Sequence, residues 1–158
     1  MVDLETALTL REEAGGWAAE VPDGWGQGRT TYGGLVAGYL VRAAQAADER
    51  SVRSVDVYFI EPVPPGEVHL RVDGRRAGKN MTHLGVTLEK DGKPSAIGRF
   101  LLADPGAGPL DRVPELPTPE RSFDDAIEIP RIDGLTPEFL QNMQVRYGEG
   151  DFPMSGST

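Results

Sequence analysis

The first sustained hydrophobic period along the chain is helical. Between positions 34 and 47, Leu35, Val36, Tyr39, Leu40, Ala43, Ala44 and Ala47 recur at helical spacing and form one apolar face, with Arg42 and Gln45 among the few polar positions between them. The spacing predicts a well-buried helix over 33–47, with Thr30 and Thr31 as candidate caps ahead of Gly33 and Gly34. Upstream, residues 15–27 carry two tryptophans around a Val21-Pro22-Asp23-Gly24 turn and read as a short strand, a turn and an irregular approach to the helix.

After the helix the period changes to two. Val55, Val57 and Phe59 alternate with Asp56, Tyr58 and Ile60, and a proline-rich turn over 62–66 leads into Val68, Leu70 and Val72 alternating with charged neighbours. These predict two antiparallel strands. Leu84, Val86 and Leu88 then alternate with His83, Thr87 and Glu89 up to Asp91-Gly92, a pair suited to a type I′ hairpin turn. The returning strand covers 96–102, with Pro94 at its start, where a missing N–H is tolerated.

From 104 to 120 the pattern gives way to Pro, Gly and Asp, a linker or surface-hugging loop. Beyond it, 126–132 and 143–147 look strand-like, and 148–158 is polar and glycine-rich. The expected organisation is a domain over 1–103, a linker over 104–125, and over 126–158 either the start of an incomplete second unit or a flexible tail, mobile or swapped beyond 132. The fold class is α+β, with one central helix wrapped by a curled sheet of sequential antiparallel strands.

Composition narrows the chemistry. The 158 residues include no cysteine, which excludes disulfide frameworks, thiolate zinc sites and thiol nucleophiles. Sixteen basic residues against 25 acidic ones give a net charge of -9, a field that repels nucleic acid, so an anionic ligand needs a local basic patch. The longest apolar run, 33–40, is far short of the roughly 20 residues a membrane span needs, and the start of the chain lacks the basic residues of a signal peptide, so a cytoplasmic protein with no membrane partner is expected. No P-loop or metal-ligand spacing is present, and Gly24-Trp25-Gly26-Gln27-Gly28 is not a dinucleotide fingerprint; neither metal nor cofactor is expected.

Three segments carry a resemblance. The run from Gly28-Arg29-Thr30-Thr31-Tyr32-Gly33-Gly34 into the Ala-rich helix, then Val57-Tyr58-Phe59-Ile60-Glu61-Pro62-Val63-Pro64-Pro65-Gly66, then Arg75-Arg76-Ala77-Gly78-Lys79-Asn80, closely resembles the first half of TesB-like acyl-CoA thioesterases. The likeness spans about 15–103, with the motifs in the family's order and spacing. It implies a hotdog fold, in a family whose members carry two hotdog halves in one chain packed as a pseudo-dimer. It also implies an acyl-CoA substrate and catalytic Asp, Thr or Ser, and Gln residues supplied mainly by a second half. Most of that half is missing here, so no residue of this chain inherits those roles by motif.

Thioester hydrolysis asks for a carbonyl polariser, a positioned water and a group to orient it. Gly33 and Gly34, opening a helix, offer unobstructed backbone N–H groups at a positive dipole end, while the alternative is that they serve turn and packing only. Tyr32 either lines the same site or staples the helix start. The helix holds no carboxylate, Asp56 and Glu61 read as exposed, and His69 and His83 fall on the polar alternation of their strands. Arg71, Arg75, Arg76 and Lys79, with Asn80, form the one marked basic concentration. Arg76, Lys79 and Asn80 are candidates for the phosphates of coenzyme A, against a solvated turn. The leading expectation is an acyl-CoA thioesterase, acting as a homo-oligomer; the alternative is a non-catalytic hotdog module that binds acyl groups or dimerises, and a third reading is a partial chain of a longer parent.

Overall fold

Chain order in the computed structural model, which describes residues 2–104, 117–119, 121–148 and 150, is α1 (Leu4–Ala7), β1 (Arg11–Glu13), β2 (Gly16–Val21), β3 (Gly26–Gln27), β4 (Thr30–Thr31), α2 (Gly33–Ala47), β5 (Ser51–Phe59), β6 (Gly66–Ala77), β7 (Met81–Lys90), β8 (Lys93–Ala103), β9 (Ile127–Glu128), a 3₁₀ helix (Glu138–Asn142) and β10 (Arg146–Tyr147). Six strands form one antiparallel sheet in the order β1-β2-β6-β7-β8-β5. The apolar face of α2, with Leu35, Val36, Tyr39, Leu40, Ala43 and Ala44, is buried against Val68, Leu70, Leu84, Val86, Leu88, Phe100 and Leu102 on the sheet's inner face. Burial of this kind is worth about 1.5–3 kcal/mol per large side chain. Tyr39 keeps its polar tip satisfied inside the core by donating to the Glu20 carbonyl at 3.2 Å, and burial raises its pKa.

The sequential pairing expected of the first two strands does not occur. β5 pairs with β8 at the sheet edge, and β6 pairs with β2 and β7. The long β7–β8 hairpin lies between β6 and β5, so the proline-rich segment 60–65 crosses three inter-strand spacings, about 14 Å. Six extended residues reach about 20 Å, which suffices. The β7–β8 hairpin itself is as its turn chemistry predicts, with Asp91 at φ 52° and Gly92 at φ 74°.

Two irregularities steer side chains toward the ends of α2. In β6 one extra residue lies between Asp73, opposite Gly85, and Arg76, opposite His83, and Gly74 at φ 56° makes the bulge possible. Asp73 and Arg76 both stay on the outer face, while Arg75 turns inward to Asp48 at the helix C-terminus. In β8, Ser95 interrupts the register after Pro94, and its carbonyl accepts from the N–H groups of Ile60 and Glu61 at 2.9 and 3.2 Å.

Short elements missed by periodicity cover the helix ends. In α1, Asp3 caps Thr6 N–H at 2.9 Å, a bond that lowers the Asp3 pKa, and Leu8 lies where a Cβ on Gly38 would sit. Residues 138–142 pack at the helix start: Phe139 is buried, and Gln141 and Asn142 both donate to the Gly24 carbonyl at 2.8 Å. Of the expected linker, residues 105–116 and 120 lie outside the described residues, as do 149 and 151–158 of the tail.

Candidate functional site

The approach to α2 is fixed by hydrogen bonds rather than by a helix cap. Thr31 donates its N–H and its hydroxyl to the Val63 carbonyl at 2.8 and 2.6 Å, and the Thr30 hydroxyl accepts from Val63 N–H at 2.9 Å. Thr30 and Thr31 are therefore committed to the β5–β6 crossing, which corrects their expected role as caps. Tyr32 occupies the cap position without a side-chain bond, and its carbonyl accepts from Leu35 and Val36 N–H. The N–H groups of Gly33 and Gly34 lie ahead of the helical ladder, at its positive end.

The two glycines are not equivalent. Gly33 lines a pocket of about 330 Å³ walled by Val36, Phe59, Ile60 and Val63, with Gln27 and Glu61 as its polar flank. A Cβ on Gly33 would meet the Phe59 ring at 3.3 Å. Gly34 faces the other way: the Tyr32 ring covers it, with the hydroxyl 2.7 Å from where a Cβ would stand. Tyr32 in turn stacks on Phe139, ring centroids 4.0 Å apart and planes 9° from parallel. Tyr32 thus closes the far side of the helix start and leaves the Gly33 side open. In the sequence, Phe59, Ile60, Val36 and Val63 carry only strand, helix and turn signals; that the crossing folds Val63 back under Thr31 is a tertiary fact with no local signal.

The basic residues lie at the opposite end. Arg71, Arg75 and Arg76 belong to β6 itself, not to a hairpin connection, and only Lys79 and Asn80 lie in the turn before β7. The 15 residues of α2 separate its two ends by about 21 Å, by rise alone. Arg71 is neutralised by Asp73 and Glu89, and Arg75 by Asp48 at 3.1 Å, whereas the side chains of Arg76, Lys79 and Asn80 are exposed and have no partner among the described residues. The Asp48 side chain is 7% exposed; a hydrogen bond from Thr82, then one from the Arg50 N–H, hold its pKa down at about 2. His69 lies between Glu13 and Glu67, and His83 is exposed opposite Arg76.

One helix lying in the curl of an antiparallel sheet, with its N-terminus opening on an apolar pocket, is the hotdog architecture. The model of the acyl-CoA thioesterase N-terminal domain matches residues 21–103, and the chain belongs to that family. Among solved structures, the chain is similar to a conserved hot dog-fold protein of unknown function from Alicyclobacillus acidocaldarius (TM-score 0.81, 15% identity, covering 94% of this chain and 56% of that one). It is also similar to a thioesterase II candidate from Thermobifida fusca (TM-score 0.73, 21% identity, 92% and 56%). A third likeness is to the tesB protein of Mycobacterium avium subs paratuberculosis (TM-score 0.60, 20% identity, 74% and 48%). At these identities the likeness is one of fold, and the chain spans about half the length of each. No curated protein matches it in sequence. Among the described residues, no helix is long and apolar enough to cross a membrane.

Proposed function

We propose that the domain over 1–103 takes an acyl-CoA with its thioester at Gly33 and its acyl group along Val36, Phe59, Ile60 and Val63, and serves cytoplasmic thioester hydrolysis to a free acid and coenzyme A. The observation that carries this reading is the pocket itself, which opens an apolar wall onto the N–H end of a buried helix. Residues 104–125 then link it to a second unit beginning within 126–158, and association with another hotdog unit, in the simplest case a second copy, covers the free edge of β5. Exposed Val55, Tyr58, Phe59 and Ile60 on that edge support association.

The non-catalytic alternative has its own support. On the pocket wall the only ionisable side chain is the exposed Glu61, which lacks a hydrogen-bonded partner among the described residues, and the Thr30 and Thr31 hydroxyls are both engaged with Val63. Measuring thiol release and equilibrium binding over a panel of acyl-CoAs separates the two. Hydrolysis supports the enzyme; binding without release supports the module; neither binding nor release removes the site.

A further inference from the structure

Arg50 lies just after α2, outside every sequence motif. Its guanidinium donates to the Thr82 hydroxyl at 2.6 Å and to the carbonyls of Gly78 and Lys79 at 3.2 and 3.4 Å, while Nε lies 3.4 Å from the Asp104 carboxylate. The Thr82 hydroxyl in turn donates to Asp48, which also accepts from the Arg50 N–H and from Arg75. One planar fork therefore holds two consecutive carbonyls of the β6–β7 turn, and buried Asp48 holds the fork's far support.

The consequence follows from peptide geometry. In a trans peptide the C=O and the N–H of the next residue point to opposite sides, and the described chain has no cis bond. With the Gly78 and Lys79 carbonyls drawn inward onto Arg50, the N–H groups of Lys79 and Asn80 face outward, and neither has a partner among the described residues. Successive outward amides form a concavity for an anion. Lys79 and Asn80 themselves supply these amides, Arg76 lies in β6 three residues before Lys79, and all three side chains are exposed and unpartnered among the described residues. Of the other basic residues nearby, Arg50 and Arg75 are engaged by Asp104 and Asp48, and His83 lies opposite Arg76 on β7.

We propose that the turn 78–80 is a phosphate-binding nest preset by Arg50, which acts as a positioning residue and does not itself touch the ligand. The ligand class is a phosphate ester; the coenzyme A nucleotide is one source and inorganic phosphate another. The assignment of coenzyme A rests on the acyl-CoA reading above, whereas the nest stands on its own geometry. Lysine cannot replace Arg50, because a single ammonium on a flexible stem cannot span Thr82 and two carbonyls at once.

The test titrates adenosine 3′,5′-bisphosphate and, separately, inorganic phosphate into the isotopically labelled protein at low salt. In the unaltered protein the amide resonances of Lys79 and Asn80 are expected to shift on binding, with those of Gly33 and Gly34 unmoved. Arg50→Lys, which keeps the charge, should weaken bisphosphate binding roughly tenfold, the scale of one charge-assisted hydrogen bond. Arg76→Ala should weaken it comparably while leaving the turn's amide exchange unchanged, whereas Arg50→Lys should speed that exchange. Bisphosphate binding that leaves the Lys79 and Asn80 amides unshifted, or no binding of either probe, overturns the nest whether or not any variant folds. Arg50→Lys binding within twofold of the unaltered protein, alongside weakening by Arg76→Ala, overturns the role of Arg50. Phosphate binding as well as bisphosphate supports the nest without coenzyme A; bisphosphate binding combined with no acyl-CoA binding supports it and removes only the thioester reading.

Discussion

Gly33→Ala and Gly34→Ala separate chemistry from packing at the helix start. Neither glycine has positive φ, so alanine is compatible with the backbone at both positions and, as the better helix former, stabilises by up to about 1 kcal/mol where space allows. Space allows it at Gly33. The new methyl meets the Phe59 ring at 3.3 Å, and that residue is 59% exposed on an edge strand, free to move by a few tenths of an ångström. At Gly34 the methyl runs into Tyr32, whose ring is backed by Phe139; moving it forfeits a stack worth about 0.5–1.5 kcal/mol beyond its burial.

Gly33→Ala should therefore keep or raise Tm, by at most about 2–4 °C for a chain of this size, and at the same time fill the face on which a thioester carbonyl would meet the N–H groups. Loss of one oxyanion donor costs about 10²- to 10³-fold in turnover. Gly34→Ala should lower Tm and reduce activity only as far as the fold is lost. Thermal melting paired with thiol release from the best acyl-CoA is the assay; if the chain binds without hydrolysing, affinity for that acyl-CoA replaces the rate. Gly33→Ala with unchanged turnover or affinity refutes the placement of the thioester at Gly33.

Two other outcomes are expected. Protonating Asp48 removes a carboxylate held by Thr82, Arg50 and Arg75; since its pKa is lowered from 3.8 to about 2, its contribution is complete above pH 4 and is lost as pH falls toward 2, so Asp48→Asn should flatten the acid limb of a pH–stability curve measured by denaturant melts, and an unaltered acid limb counts against the network. Phe139→Ala should release the segment 138–147 to protease, because the stack on Tyr32 is its main apolar anchor, while the helix and sheet stay resistant; unchanged cleavage within that segment contradicts the anchoring.

The parts of this fold that periodicity exposes are those where one element's own sequence decides its burial. Leu35, Val36, Tyr39 and Leu40 are apolar for the same reason they are buried, and Leu84, Val86 and Leu88 alternate because their strand has one inner face. Pairing order is another matter. Nothing local distinguishes a proline-rich hairpin from a proline-rich crossing, and the choice here depends on the β7–β8 hairpin inserting between β6 and β5. The candidate site divides in the same way. A Gly-Gly pair opening a helix is visible in sequence, but that one glycine faces Phe59 and the other lies under Tyr32 depends on where Val63 and Phe139 return in space. The basic cluster was legible as composition and not as geometry, because a bulge at Gly74 sends Arg75 inward to Asp48 and leaves Arg76 outside.

Association and the pocket share residues, which ties the two proposals together. Phe59 and Ile60 wall the pocket and are also 59% and 52% exposed on the free edge of the sheet, so a unit covering that edge would close the pocket mouth, exclude water from the thioester and bring its own side chains to a wall whose only ionisable group is Glu61. Val55 lies on the same edge strand, 39% exposed and outside the pocket lining. Val55→Lys should weaken association at least tenfold, about 1.4 kcal/mol, by placing a charge where apolar surface is to be covered. Light scattering across the micromolar range reads the association, and acyl-CoA binding or turnover at the same concentrations reads the pocket. If the pocket is completed by the second unit, activity should fall with the fraction of monomer and recover as protein concentration rises. An unaltered protein that stays monomeric at these concentrations and handles acyl-CoA fully, or a monomeric variant that does so, would refute the coupling, since the pocket would then be complete within one chain.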